Sequence, residues 1–145
     1  MSAIVSEEWR PVVGYFAGLY EVSSQGRVRS RDRYRTYQLA QGLTLITRRG
    51  KLLTASWGVR SPYPKVYLTD GPRRVCVRVH QVVAAAFLGP CPDGHEINHI
   101  DGNKLNPAVS NLEYLTHRDN IRHAVASGRG RWSRRLPDNG RGPNA

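Results

Sequence analysis

The residue types best suited to catalysis are concentrated in residues 97–106, which read Ile-Asn-His-Ile-Asp-Gly-Asn-Lys-Leu-Asn. Asn98 offers an amide oxygen, and His99 carries an imidazole that titrates close to physiological pH. Asn120, further along the chain, offers a second amide oxygen. Oxygen ligands suit a hard cation such as Mg²⁺, and a neutral imidazole beside them can accept a proton from water. One cation and one base are sufficient for hydrolysis of a phosphodiester bond.

A strand, a long loop, a second strand and a helix are predicted to position these groups. The strands cover residues 96–100 and 112–115, and the loop between them contains Pro107. The helix begins with the capping pattern Thr116-His-Arg-Asp, runs to residue 126 and is ended by Gly128. A hairpin followed by a helix in this order can bring the polar residues of the first strand against the first turn of the helix.

The segment from about residue 79 to 124 resembles the HNH family of nucleases, in the form found in phage and intron homing endonucleases. The resemblance rests on four stretches, at residues 79–87, 97–106, 109–116 and 119–124. It implies an α+β fold in which small antiparallel sheets are followed by a ββα-metal (His-Me) finger.

The family motif assigns a role to each matching position. His99 matches the catalytic general base, and Asn111 matches the catalytic-motif Asn that braces the loop of the finger. Asn98 and Asn120 match the ligands of one divalent metal ion, Mg²⁺ or Mn²⁺. The family often has Asp at the position of Asn98, so the amide keeps the ligand oxygen and lacks the charge.

Residues 7–12 and 20–30 resemble the NUMOD4 module that accompanies such nucleases. The sequence therefore predicts four parts: a NUMOD4-like DNA-binding module (1–37), a basic segment of short strands (38–79), the HNH nuclease domain (80–127) and a basic disordered tail (128–145).

The net charge of +11 indicates an anionic partner, with nucleic acid first. Residues 91–127 alone carry −2, while the other parts are basic. Charge does not distinguish DNA from RNA, so RNA binding stays open. No apolar run is long enough for a transmembrane helix and no signal peptide is recognised, so we expect no membrane association and a cytoplasmic location, in a bacterial host if the gene is carried by a phage.

Two groups of arginines are candidates for DNA binding. In the first, alternate residues of an extended chain place five side chains on one side, and the alternative interpretation is a solvated edge strand. In the second, arginines alternate with Val75, Val77 and Val79, which predicts a half-buried strand with a basic outer face. The candidates are Arg27, Arg29, Arg31, Arg33, Arg35, Arg74 and Arg78.

Three residues near the motif are candidates for contact with the phosphate: Lys104, Arg118 and His123. His123 lies three residues after Asn120 and shares its helix face, so it either approaches the phosphate or packs. His80, at the start of a predicted helix, is expected to make a structural hydrogen bond.

The sequence thus predicts a metal-dependent HNH endonuclease that nicks duplex DNA or cleaves both strands. The alternative is a DNA-binding protein whose HNH site is degenerate and non-catalytic. Asn98→Asp is expected to separate the two, because it should retain or raise cleavage by a nuclease. The oligomeric state is left open as a monomer or a weak dimer.

Overall fold

The computed structural model describes residues 6–58 and 60–128, which form ten short strands, two α-helices and one 3₁₀ turn. The predicted tail, residues 128–145, lies outside this description except for Gly128. In chain order the elements are β1 (Trp9–Pro11), β2 (Tyr20–Ser23), β3 (Val28–Ser30), β4 (Arg33–Leu39), β5 (Gly42–Arg48), β6 (Ser56–Gly58), β7 (Ser61–Asp70), β8 (Arg73–Arg78), α1 (Val79–Phe87), β9 (His95–His99), the 3₁₀ turn (Val109–Asn111), β10 (Leu112–Thr116) and α2 (His117–Ala126).

Strands β1, β2 and β3 form an antiparallel sheet in that order. The turn between β2 and β3 contains Gly26 in the left-handed region, with φ of +83°. A Cβ at this position would lie 2.4 Å from Cγ of Pro107, in the long loop before the 3₁₀ turn. Gly26 is therefore required both by the turn and by the close approach of the loop.

Strands β4 and β5 form a separate two-stranded ribbon. Its pairing runs from Arg33 opposite Arg48 to Leu39 opposite Gly42. Strand β3 ends at Ser30 and β4 begins at Arg33, and the isolated bridge between Arg29 and Leu52 keeps the register of the β4–β5 pairing. That the five arginines lie on one side of this chain stays a prediction. The carboxylate of Asp32, between the two strands, accepts a hydrogen bond from the backbone N–H of Gly50 at 2.7 Å.

Strands β6, β7 and β8 form a third antiparallel sheet. In β8 the side chains of Val75 and Val77 are half-buried, whereas Arg74 and Arg78 are exposed. This confirms the predicted strand with a basic outer face. Helix α1 follows β8 directly.

Strands β9 and β10 are antiparallel, with His99 opposite Leu112 and Asn98 opposite Glu113. Helix α2 follows, and the hydroxyl oxygen of Thr116 accepts the backbone N–H of Asp119 at 3.2 Å, as the capping pattern predicts. The hairpin and helix expected from the motif are therefore present.

One buried apolar cluster joins the parts of the molecule. It includes Val22 of β2, Val66 of β7, Val83 of α1 and Leu112 of β10. Because residues of the first and third sheets pack with α1 and the hairpin, the elements that carry the motif are anchored to the rest of the chain. Within the described residues, no helix has the length and apolar character needed to cross a membrane.

Candidate active site

A cavity of about 390 Å³ lies between the end of β9, the start of α2 and strand β7. It brings together five residues predicted from the sequence: Asn98, His99, Lys104, Asn120 and His123. These residues come from one strand, one loop and one helix, so only the folded hairpin and helix assemble them.

Two glutamates fix the amide groups of the predicted ligands. Nδ2 of Asn98 donates to Glu113 at 2.9 Å, and Nδ2 of Asn120 donates to Glu96 at 3.0 Å. Because a carboxylate only accepts hydrogen bonds, the nitrogen of each amide faces its glutamate. In the part of the chain that the structure describes, no group donates to Oδ1 of either asparagine, so both oxygens remain available as ligands.

Glu96 holds a second partner besides Asn120. Its other oxygen accepts a hydrogen bond from Nδ1 of His117 at 2.8 Å. The hydrogen bond from Asn120, followed by the one from His117, lowers the pKa of Glu96 below its ordinary value. The carboxylate is therefore ionised at neutral pH. By accepting the hydrogen bond from Nδ2 of Asn120, it fixes the orientation of that amide.

The imidazole of His99 is buried, with only 5% of the residue exposed. Burial lowers the pKa of His99; the carboxylate of Asp101 opposes this effect, and the ammonium group of Lys104 adds to it. The ring is consequently neutral at pH 7, the form in which it can act as a base. Tyr63 and His80 contact it, with ring centroids 5.8 Å and 5.0 Å away.

Asn111 lies outside the cavity and braces the loop that leads away from His99. Its side-chain nitrogen donates to Asp101 and to the backbone oxygen of Asn106, both at 2.9 Å, and its side-chain oxygen accepts the N–H of Asp101. The same carboxylate accepts hydrogen bonds from Asn103 and Asn106, and that from Asn106 contributes most to lowering the pKa of Asp101. The loop is thus tied into a closed network of hydrogen bonds.

The three candidates for phosphate contact are separated by the structure. Lys104 and His123 line the cavity, whereas Arg118 is exposed on α2 and is not part of the lining. Within the described residues the side chain of His80 makes no hydrogen bond and its buried Nδ1 has no partner, so the expected structural hydrogen bond is absent there. His80 instead packs its ring against Tyr63 and His99.

The arginines proposed for DNA binding all have partners within the chain. Arg27 pairs with Glu7, Arg29 and Arg31 pair with Glu21, and Arg35 pairs with Asp70. Arg33 donates to the backbone oxygen of Thr69 at 2.9 Å. Arg74 and Arg78 lie over the rings of Tyr67 and Tyr63. Exposed ion pairs contribute little to stability, so these arginines can exchange an acidic partner for a phosphate. Their role toward DNA stays a prediction.

Three residues of the site were missed by sequence reasoning: Glu96, Glu113 and Tyr63. The register of the folded hairpin makes Glu113 the cross-strand neighbour of Asn98, and Glu96 lies two residues before Asn98 on β9. Tyr63 carries no such signal, since its strand lies far from the motif in the sequence.

The donors in the cavity suit a hard divalent cation. Amide oxygens and water are among the ligands that Mg²⁺ accepts. Within the described residues there is no cluster of three or more His, Cys, Asp and Glu that could hold a metal ion. Among the described residues that line the cavity, Asn98 and Asn120 offer amide oxygens that could hold a cation, and water or a phosphate oxygen would have to complete the coordination.

Two family models match parts of the chain. Residues 77–122 match the family model described as HNH endonuclease, and residues 7–69 match the NUMOD4 motif. The chain thus carries an HNH endonuclease domain behind a NUMOD4 motif, in the order that the sequence predicted.

Among solved structures, the chain resembles one titled "DNA binding and cleavage by the HNH homing endonuclease I-HmuI", with a TM-score of 0.64 and 28% identity. The match covers 84% of this chain and 60% of that one. This confirms the predicted α+β fold with small antiparallel sheets and a ββα finger.

Curated relatives include DNA endonuclease I-HmuI of Bacillus phage SP01, which is 29% identical over 121 residues, 83% of this chain and 59% of its own. An uncharacterised HNH endonuclease, L245, of Acanthamoeba polyphaga mimivirus is 31% identical over 109 residues, 75% of this chain and 28% of its own. The chain therefore spans less than two thirds of the length of each of these two relatives.

Proposed function

We propose that this protein is a metal-dependent endonuclease that hydrolyses phosphodiester bonds in duplex DNA, with His99 as the general base. One observation carries the proposal. A buried, neutral imidazole shares a cavity with two amide oxygens that Glu96 and Glu113 hold free for a cation. The HNH endonuclease domain and the relatives named as endonucleases support the same conclusion.

Asn98 and Asn120 would hold the divalent ion, Mg²⁺ or Mn²⁺. When bound, it would stabilise the negative charge that develops on the phosphate and on the leaving oxygen. The two glutamates support this role by fixing the amide orientation, as groups behind metal ligands commonly do.

The chain's own residues would carry the remaining chemistry. The neutral imidazole of His99 takes a proton from water, and the resulting hydroxide attacks the phosphorus. The bond from phosphorus to the 3′ oxygen breaks and that oxygen takes a proton from solvent water, which leaves a 5′-phosphate and a 3′-hydroxyl. Lys104 and His123, at the cavity wall, are placed to contact the non-bridging oxygens of the phosphate.

The positive charge outside the finger would hold the duplex. Exposed arginines on β8, Arg74 and Arg78, and the partnered arginines from Arg27 to Arg35 would contact phosphates of the backbone. The basic surface would thus lie on the sheets, and the catalytic groups would lie in the hairpin and α2.

Cleavage of supercoiled plasmid in the presence of Mg²⁺ or Mn²⁺ tests the proposal. Wild-type protein should produce nicked or linear DNA, and His99→Ala should lose this activity by about 10²- to 10⁴-fold. His95→Ala is a matched control, because His95 lies on the same strand and its ring contacts the backbone oxygen of Asp93, away from the cavity lining.

A different result would favour the second candidate, a non-catalytic DNA-binding protein. In that case the wild-type protein would bind DNA and leave the plasmid intact with either metal, and His99→Ala would behave identically. The amide at Asn98, where the family often has a carboxylate, is the observation that keeps this candidate.

A further inference from the structure

Three aromatic rings from three different elements pack together, and one of them is the proposed base, His99. Tyr63 of β7 lies 4.6 Å from His80 of α1 and 5.8 Å from His99 of β9, measured between ring centroids. His80 and His99 meet edge to face at 5.0 Å. The imidazole of His99 therefore packs against two other flat rings.

This packing takes the place of a hydrogen bond. A catalytic histidine is ordinarily oriented by a hydrogen bond to its second ring nitrogen. Here the buried Nε2 of His99 has no partner within the described residues, and the buried Nδ1 of His80 has none either. The direction of the imidazole is consequently set by contact with the neighbouring rings, which lie at distances typical of aromatic pairs.

Tyr63 also contacts a cation of the site. Nζ of Lys104 lies 5.1 Å from the centre of the Tyr63 ring, and Cζ of Arg78 lies 5.4 Å from it. Both distances are within the range of a cation–π contact. One ring thus contacts His99 and Lys104, the proposed base and a proposed phosphate contact.

The position of Tyr63 in the chain makes this arrangement informative. Residue 63 falls in the NUMOD4 match, residues 7–69, and outside the HNH match, residues 77–122. A side chain from the NUMOD4 segment therefore forms a wall of the cavity that contains His99.

We propose that Tyr63 is a positioning residue for the His99 base and for the Lys104 ammonium group, so that the active site is completed by the NUMOD4 segment. The inference rests on the proposed endonuclease function. The ring, and not the phenol hydroxyl, does the positioning, because every contact that supports it is made by the ring face or edge.

The test compares Tyr63→Leu, Tyr63→Phe and Tyr67→Leu in the full chain. Tyr67 is a matched control: it lies on the same strand, carries Arg74 at 4.0 Å over its ring and does not line the cavity. We expect Tyr63→Leu to lower kcat for plasmid cleavage about 10- to 100-fold, the effect of a misplaced catalytic group. The KM for DNA should stay within about threefold, since most of the arginines proposed to hold the duplex do not contact Tyr63.

Tyr63→Phe and Tyr67→Leu should cleave at the wild-type rate. A wild-type kcat for Tyr63→Leu would overturn the proposal. So would an equal loss in Tyr63→Phe, which would assign the effect to the hydroxyl. Thermal unfolding of each variant shows whether a loss of activity is caused by misfolding. If Tyr63→Leu does not fold, the comparison of Tyr63→Phe with the wild-type protein and the His99 couplings described next decide.

The side-chain NMR couplings of His99 provide a readout that does not need activity. The wild-type protein and Tyr63→Phe should hold one His99 rotamer, and Tyr63→Leu should show rotamer averaging. If the wild-type protein cleaves nothing, the proposed function fails, and these couplings still decide the positioning role. A single rotamer in folded Tyr63→Leu would refute it.

Discussion

The contact between Asn98 and Glu113 leads to a sharp prediction about the replacement Asn98→Asp. From sequence alone, this change should retain or raise cleavage, because it restores the carboxylate that the family often has. The structure changes that expectation. The Asn98 amide donates to the Glu113 carboxylate at 2.9 Å, so an aspartate would place a second carboxylate at the same distance.

The cost follows from two terms. The lost hydrogen bond to a charged acceptor contributes about 1.5–3 kcal/mol. Two like charges 2.9 Å apart repel by about 1.4 kcal/mol in water and by about 6 kcal/mol at an effective dielectric constant of 20. Even with full solvent screening, Asn98→Asp should lower the free energy of unfolding by about 3 kcal/mol.

Urea denaturation without added metal measures this effect in a double-mutant cycle. Glu113→Gln combined with Asn98→Asp should recover the stability, because the glutamine amide then donates to the aspartate with the polarity reversed. The double variant should also cleave at a lower concentration of Mg²⁺ than the wild-type protein, since a carboxylate binds a hard cation more strongly than an amide. An Asn98→Asp protein as stable as wild type, with no recovery in the double variant, would refute the reasoning.

Further predictions concern the turn, the second glutamate and the response to pH. Gly26→Ala should destabilise the protein more than Gly14→Ala. Both glycines have positive φ, but of the two only Gly26 would bring a Cβ within 4 Å of another group, Pro107. Urea denaturation of the two variants isolates this contact, and equal losses of stability would contradict it. Glu96→Ala should raise the Mg²⁺ concentration needed for half-maximal cleavage by about 10- to 100-fold, measured by metal titration, and an unchanged requirement would contradict the orienting role. Burial, with the charges of His99 and Arg78, lowers the pKa of His80 to about 4. In the unfolded chain the pKa of His80 is near 6.5, so between about pH 4 and 6.5 the unfolded state binds more protons than the folded state. The free energy of unfolding should therefore fall by up to about 3 kcal/mol as the pH drops from about 6.5 to about 4. Denaturation at several pH values should show this slope, and His80→Phe should flatten it.

The hairpin and the helix of the finger could be predicted from the sequence because their signals are local. Thr116 and Asp119 mark the start of α2, and both are found at its cap. Alternation of valine and arginine marks β8, since a period of two requires one buried and one exposed face. The order of the motif residues then places Asn98, His99 and Asn120 in one cavity.

The remaining features depend on contacts between distant parts of the chain. The carboxylate of Asp32 accepts a hydrogen bond from the backbone N–H of Gly50, eighteen residues away. An alternating run of arginines gives no sign of this contact. The acidic partners of those arginines, among them Glu7 and Glu21, are likewise found only in the folded protein.

The amide orientation and the ring cluster were also beyond the sequence. A glutamate on a strand is usually a solvated side chain, and only the register shows that Glu113 faces Asn98. Tyr63 reaches His99 because β7 packs beside α1, which no local pattern encodes. The sequence thus predicts the catalytic groups themselves, and the structure adds the groups that orient them.

The most direct test of the account is the rate at which the wild-type protein and His99→Ala cleave a phosphodiester bond in duplex DNA with Mg²⁺ or Mn²⁺ under single-turnover conditions. The account predicts metal-dependent cleavage by the wild-type protein and a rate about 10²- to 10⁴-fold lower for a folded, DNA-binding His99→Ala variant. Equal rates for the two proteins, or DNA binding by the wild-type protein without cleavage at any metal concentration, would contradict it.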